Sequence, residues 1–137
     1  MSFLGEFKHS LDDKGRLVLP AKFRDRLSTA VVSSHRDSCL ALWTPEQFKE
    51  ESKTMSARMK GNLKDRSMAR VFFASAQEVA PDRQGRVVIP TNLREMARLT
   101  PDCEVVVTGA GDWVEVWLAE SWISQRQAGV AAMAEDD

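Results

Sequence analysis

The chain has 137 residues with a formal net charge of −1, 28% charged and 43% hydrophobic residues, the size of one domain of about 100–150 residues. It has no apolar run long enough to cross a bilayer and no signal-type apolar stretch at its amino terminus, which points to the cytoplasm. Cys39 and Cys103 are too few and too isolated for a disulfide framework or a zinc site, and fit small buried hydrophobes.

Residues 3–10 alternate loosely and predict a strand leading into a turn at 12–15. There Asp12 offers an acceptor to backbone N–H groups two residues on, and Gly15 takes positive φ without steric cost. Leu17-Val18-Leu19 predicts a short strand, which Pro20 ends while opening a helical stretch over 21–27. Residues 30–33 and 39–43 predict a hairpin around 34–38. Thr44-Pro45-Glu46-Gln47 is a helix start, with a cap, a proline at the first position and Gln three after the cap. That helix runs to about Lys60, where Gly61-Asn62 stops it and starts another toward Phe73. Residues 79–96 repeat the order of strand, turn, strand, proline and helix. Residues 104–108 and 113–118 then form strands around Gly109-Ala110-Gly111-Asp112. A last helix is expected from about Glu120, giving way at Gly129 to a small-residue, acidic, disordered tail.

Asp12-Asp13-Lys14-Gly15-Arg16-Leu17-Val18-Leu19-Pro20 returns seventy positions on as Asp82-Arg83-Gln84-Gly85-Arg86-Val87-Val88-Ile89-Pro90. Phe23 matches Leu93 and Arg24 matches Arg94 at the same offset. Leu40–Trp43 matches Val114–Trp117, and Phe48 matches Trp122, at offset seventy-four, so the second copy has a loop four residues longer. Self-similarity of this kind marks one supersecondary unit used twice. Each half alone is near the lower limit for an independent core, so the halves are expected to share one.

Catalysis finds little support. His9 and His35 are the only histidines, tyrosine is absent, and no metal-binding or nucleophile motif occurs. Asp12-Asp13 resembles a carboxylate pair, but the second copy has Asp82-Arg83, so the shared aspartate is a turn residue. Turn chemistry accounts for Asp, Gly and Pro and leaves Arg16 and Arg86 without a structural duty. Flanked by Lys14 and Arg83, they suit phosphates and the O6/N7 edge of guanine. Trp43, Trp117 and Trp122 are expected in the core, and the basic stretch 49–70 on solvated helix faces. Charge is split between the halves: residues 1–70 hold fourteen Lys and Arg against nine acids, net +5, and residues 71–137 hold five Arg against eleven, net −6. Such asymmetry suggests an interaction surface.

The opening Phe3-Leu4-Gly5-Glu6-Phe7, the two D-x-x-G-R nonapeptides, Arg70-Val71-Phe72-Phe73-Ala74-Ser75-Ala76 and Glu115-Val116-Trp117 with Trp122 closely resemble the bacterial MraZ family. One D-x-x-G-R alone would point only to the wider AbrB-like DNA-binding superfamily. The resemblance covers about residues 1–123. It implies a mainly β, α+β fold: a pseudo-two-fold barrel of two AbrB-like swapped-hairpin β-α-β repeats, at 5–47 and 76–119. A helical connection spans 48–75, and a C-terminal helix with the acidic tail spans 120–137. It further implies a cytoplasmic, nucleoid-associated transcriptional regulator, a repressor of its own division and cell-wall operon. The implied partners are double-stranded DNA bearing promoter direct repeats and further copies of the chain in a homo-oligomeric ring. No cofactor, metal, membrane or small-molecule substrate is implied. The DNA-binding residues carried over are Lys14, Arg16, Arg83 and Arg86, with Asp12, Gly15, Asp82 and Gly85 shaping the loops. Positions 13 and 83 differ in charge, so unequal contributions are expected, the first loop contributing more. In a ring, the positive half of one subunit would face the negative half of the next. The alternative is an antitoxin-like or adaptor module that uses the same loops on an acidic partner; an enzyme ranks third.

Overall fold

The two β-forming triplets that follow the motif glycines do become strands, and they pair with each other. In the computed structural model, which describes residues 2–136, β2 (Arg16–Val18) lies antiparallel to β6 (Arg86–Val88). Leu17 faces Val87, Arg16 faces Val88 and Val18 faces Arg86. Leu17, Leu19, Val87 and Ile89 point inward and are fully buried or nearly so, each contributing about 1.5–3 kcal/mol relative to an exposed side chain. That alternation fixes the register, because a one-residue slip would turn all four into solvent.

The remaining strands form one six-stranded sheet. They are β1 (Glu6–Ser10), β3 (Ala30–Ser34), β4 (Leu40–Trp43), β5 (Gln77–Val79), β7 (Glu104–Gly109) and β8 (Val114–Leu118), in the order β1-β7-β8-β4-β3-β5. Exchanging each strand for its counterpart in the other repeat returns the same order reversed. An approximate two-fold therefore runs between β4 and β8 and through the centre of the β2–β6 ribbon. The hairpins are swapped: β1 of the first repeat pairs with β7 of the second, and β5 of the second with β3 of the first.

The expected pseudo-two-fold arrangement of swapped hairpins is present, and its main sheet does not close into a barrel. β1 and β5 are the two edges of an open sheet, and β2 and β6 form a sheet of their own. The reason is hydrogen-bond accounting: β2 and β6 are three residues long and pair with each other, and the N–H and C=O groups of Arg16 and Arg86 close their own turns on Asp12 and Asp82 rather than bridging to the sheet edges. The α+β, mainly β class and the swapped repeat stand.

The sheet separates two packing clusters. On one face Ala30, Val32, Leu40, Leu42, Val105, Val107, Val114 and Val116 meet the ribbon and two short helices, α1 (Ala21–Arg24) and α4 (Thr91–Met96). On the other, Val31, Ala41 and Trp43 meet α2 (Pro45–Met59) and α3 (Leu63–Ser75). Thr44 and Asn62 cap those helices as their side chains imply, accepting from Gln47 N–H at 3.2 Å and Asp65 N–H at 2.9 Å. Trp43 is fully buried and its indole N–H donates to Ser33 Oγ at 2.9 Å, so it is a core residue.

One element differs from expectation at its end. Helix α5 (Ala119–Glu135) continues past Gly129, where disorder was expected; residue 137 lies outside the described residues. None of its side chains is buried. Local propensity sustains it instead, since Ala128, Ala131, Ala132, Met133 and Ala134 outweigh a glycine that costs about 1 kcal/mol.

Candidate nucleic-acid interface

Each nonapeptide builds its turn around an aspartate. Asp12 Oδ1 accepts from the backbone N–H groups of Lys14 (2.9 Å) and Arg16 (2.8 Å), and Asp12 Oδ2 accepts from Arg16 Nε at 2.6 Å. The backbone closes the turn through Gly15 N–H to Asp12 O at 3.1 Å and Asp12 N–H to Arg16 O at 3.0 Å. Around Asp82 the same bonds recur, from Gln84 N–H (2.9 Å), Arg86 N–H (2.9 Å) and Arg86 Nε (2.8 Å). The backbone bonds from Arg16 and Arg86 are the main reason both carboxylates sit below the usual carboxylate range, reinforced by the guanidinium groups.

The arginines therefore have a structural duty that residue types alone did not suggest. Nε of each is held by the turn aspartate, while its two Nη groups make no hydrogen bond among the described residues. What remains is an oriented fork of donors on a side chain about one quarter to one third exposed: 27% for Arg16 and 29% for Arg86. Bidentate recognition of a guanine edge or a phosphate needs that fork, and fixing it beforehand lowers the entropy lost on binding.

Ribbon pairing brings together two side chains seventy residues apart. Arg16 and Arg86 occupy diagonal positions on the outer face of the β2–β6 ribbon, a separation of roughly 7–8 Å. Val18 and Val88 share that face, and Val88 is 55% exposed. The Asp12–Gly15 and Asp82–Gly85 turns stand at opposite ends of the ribbon, with Lys14 and Arg83 exposed at their tips. All four residues expected to bind DNA thus lie along one two-stranded element, and a ribbon of this width fits the major groove of about 12 Å.

Sequence reasoning matched Arg24 with Arg94 but gave them no role. Each crosses to the loop of the other repeat: Arg94 lies against Gly15 and Arg24 against Gly85. Their shared offset was the available signal; the crossing itself depends on where the two side chains pack.

The other polar clusters are committed to structure. Glu115 accepts from the indole N–H groups of Trp113 (3.0 Å) and Trp117 (3.3 Å), with His35 Nε2 at 3.4 Å. Burial holds the His35 pKa below its ordinary value despite Glu115, so the imidazole is neutral at pH 7. Burial also raises the pKa of Cys39 far above that of a reactive thiol. Among the described residues no cluster of three His, Cys, Asp or Glu side chains could hold a metal ion, and no helix is long and apolar enough to cross a membrane.

A family model described as "MraZ protein, putative antitoxin-like" matches the chain twice, over residues 2–70 and 72–136, once for each repeat. The chain is 44% identical to a protein of Nocardioides sp. over 100% of its own length and 94% of the relative's. It is 45% identical to one of Salinispora tropica over 89% of its own length and 85% of the relative's. Identity to one of Carboxydothermus hydrogenoformans is 39%, over 97% and 92%. Each of these relatives is named "Transcriptional regulator MraZ". With both repeats matched and relatives aligned along nearly their whole length, the chain belongs to the MraZ family.

Proposed function

We propose that this protein is a sequence-specific DNA-binding transcriptional regulator that represses its own division and cell-wall operon. It binds short direct repeats through the arginine-bearing loops of a ring-shaped homo-oligomer. The observation that carries this reading is the β2–β6 ribbon, which sets two aspartate-held arginines on one outer face, with Lys14 and Arg83 exposed in the turns at its two ends. The names of the relatives support the regulatory half.

A near-neutral subunit attracts DNA weakly, because electrostatic affinity grows with the number of phosphates neutralised. A ring repeats the loops, and tethering raises the effective concentration at each further contact. A head-to-tail ring also gives its loops one polarity, which suits direct repeats rather than palindromes. A count of charge within each loop argues for the opposite ranking, with the second loop first. Charges at 12–16 cancel, two aspartates against Lys14 and Arg16, whereas 82–86 keeps a net +1 from Asp82, Arg83 and Arg86. The second loop is therefore the stronger attractor of phosphate.

Fluorescence anisotropy tests this with the protein's own upstream duplex against a scrambled one, at several salt concentrations. Wild type should prefer its own duplex and lose affinity steeply with salt. Arg16→Ala and Arg86→Ala should each cost about 1–3 kcal/mol of binding with folding intact, the second more than the first. Equal affinity for both duplexes would turn the reading toward the interaction module, with an acidic protein partner in place of DNA.

A further inference from the structure

Arg24 and Arg94 are the second arginine pair of the repeat, and the proposed DNA contact does not use them. A Cβ built on Gly85 would collide with Arg24 Nε and lie 2.5 Å from its Cζ. One built on Gly15 would collide with Arg94 Nη1 and lie 2.6 Å from its Cζ. Each guanidinium thus packs directly on a glycine of the opposite repeat, and both glycines are buried although they sit in surface turns. Positive φ, +76° at Gly15 and +79° at Gly85, requires glycine by itself, and the absence of a Cβ also lets the guanidinium lie on the backbone.

The same glycines are held a second time. Leu19 N–H donates to Gly85 O and Ile89 N–H to Gly15 O, both at 2.9 Å. On one side the clamp closes on itself: Arg24 Nε donates at 2.9 Å to Leu19 O, the residue whose own N–H holds Gly85. On the other, Arg94 Nη2 donates to Thr91 Oγ1 at 2.8 Å and its buried Nε has no partner. Neither arginine forms an ion pair among the described residues. Each glycine directly precedes the arginine of its loop, so a shift of the glycine backbone passes straight to Arg16 or Arg86.

We propose that Arg24 and Arg94 are positioning residues wired crosswise. Arg24 fixes the 82–86 loop and so sets Arg86, and Arg94 fixes the 12–16 loop and so sets Arg16. A planar guanidinium covers a side-chain-free backbone, which the point charge of a lysine on a flexible stem does not reproduce. For its binding readout the proposal rests on Arg16 and Arg86 contacting DNA; its loop readout does not.

The test measures amide hydrogen exchange at residues 14–16 and 84–86 in the full-length protein and in Arg24→Gln, Arg24→Lys, Arg94→Gln and Arg94→Lys, with the Tm of each. Arg24→Gln should speed exchange at 84–86 and leave 14–16 unchanged, Arg94→Gln should do the reverse, and the lysine variants should behave like the glutamine ones. DNA affinity of the glutamine variants should fall several-fold with the salt slope unchanged. Faster exchange in the variant's own repeat, or equally in both loops, overturns the proposal. So does rescue by lysine together with a salt slope reduced by about 1 in the glutamine variants, which marks a direct phosphate contact. If wild type does not discriminate between duplexes, the DNA reading fails while the exchange pattern still decides the wiring.

Discussion

Loops 12–16 and 82–86 have the same backbone bonds, the same aspartate lock and the same left-handed glycine, yet they differ in charge and in how each is covered. Loop 12–16 carries Asp13 and Lys14 where loop 82–86 carries Arg83 and Gln84. Arg24 covers the second loop with its Nε bonded to a main-chain oxygen; Arg94 covers the first with its Nε unpartnered. One scaffold therefore presents the same guanidinium twice in two electrostatic settings. Geometry is the invariant of the repeat and charge is its variable.

The largest effect that separates geometry from charge comes from the glycines. Gly15→Ala and Gly85→Ala meet both a positive φ, worth about 1–2 kcal/mol, and the opposing guanidinium. Gly111→Ala is the control, since its φ is +85° but nothing lies within 4 Å of the new Cβ. Melting of the three variants should show Gly111→Ala losing a few degrees, on the order of 3–6 °C, with Gly15→Ala and Gly85→Ala losing clearly more. Equal losses in all three would mean that the guanidinium cover yields freely and only backbone conformation matters.

A smaller effect exchanges the charges and leaves the geometry alone. Asp13→Arg gives loop 12–16 the residue found at position 83, and Arg83→Asp makes the opposite change; both side chains are exposed at turn tips. Stability should stay within about 0.5 kcal/mol, as for surface substitutions generally. Anisotropy should show Asp13→Arg binding DNA several-fold more tightly with a steeper salt dependence, and Arg83→Asp binding more weakly with a shallower one. Unchanged slopes would place these tips away from the phosphates.

Much of this comparison was legible in the sequence. The nonapeptide repeat, its turn glycines, the Thr44 and Asn62 caps and the buried Trp43 all follow from local signals, because turns, caps and alternation are decided by residues close in sequence. Partner choice is not local. β1 and β5 carry the same cue in each repeat, and nothing in residues 6–10 says that they pair with 104–108 rather than with the neighbouring strand. The swap came from the family resemblance and not from any local signal, and the crossing of Arg24 and Arg94 follows from it only once the side chains are placed. The aspartate–arginine lock was missed for another reason: a four-residue separation in a turn has no fixed geometry until the turn type is known. The helix continues beyond Gly129 because four alanines outweigh one glycine, a balance of summed propensity that no single residue signals.

The subtlest way to split the loops is pH. His9 lies on β1, and burial is the main cause of its lowered pKa, with the Arg24 guanidinium second. Its counterpart at offset seventy is Val79, which does not titrate. In the unfolded chain His9 binds a proton at its ordinary value of 6.5; in the folded protein it resists until the pH is lower. The stability it contributes is complete above about 6.5 and is lost as pH falls toward the folded value. His35 shares that direction, so wild-type Tm should fall between neutral and mildly acidic pH, and His35→Gln should remove only part of the fall. Asp12 and Asp82 act alike in both loops, contributing stability that fades only below about 3.8. Between these limits a protonated His9 repels Arg24, the cover of loop 82–86, and leaves Arg94 alone. After allowing for the intrinsic pH dependence of exchange, amides 84–86 should lose protection before 14–16 as the pH drops, and His9→Gln should abolish the difference. Equal loss in both loops would show that the two covers do not differ in their response to protonation.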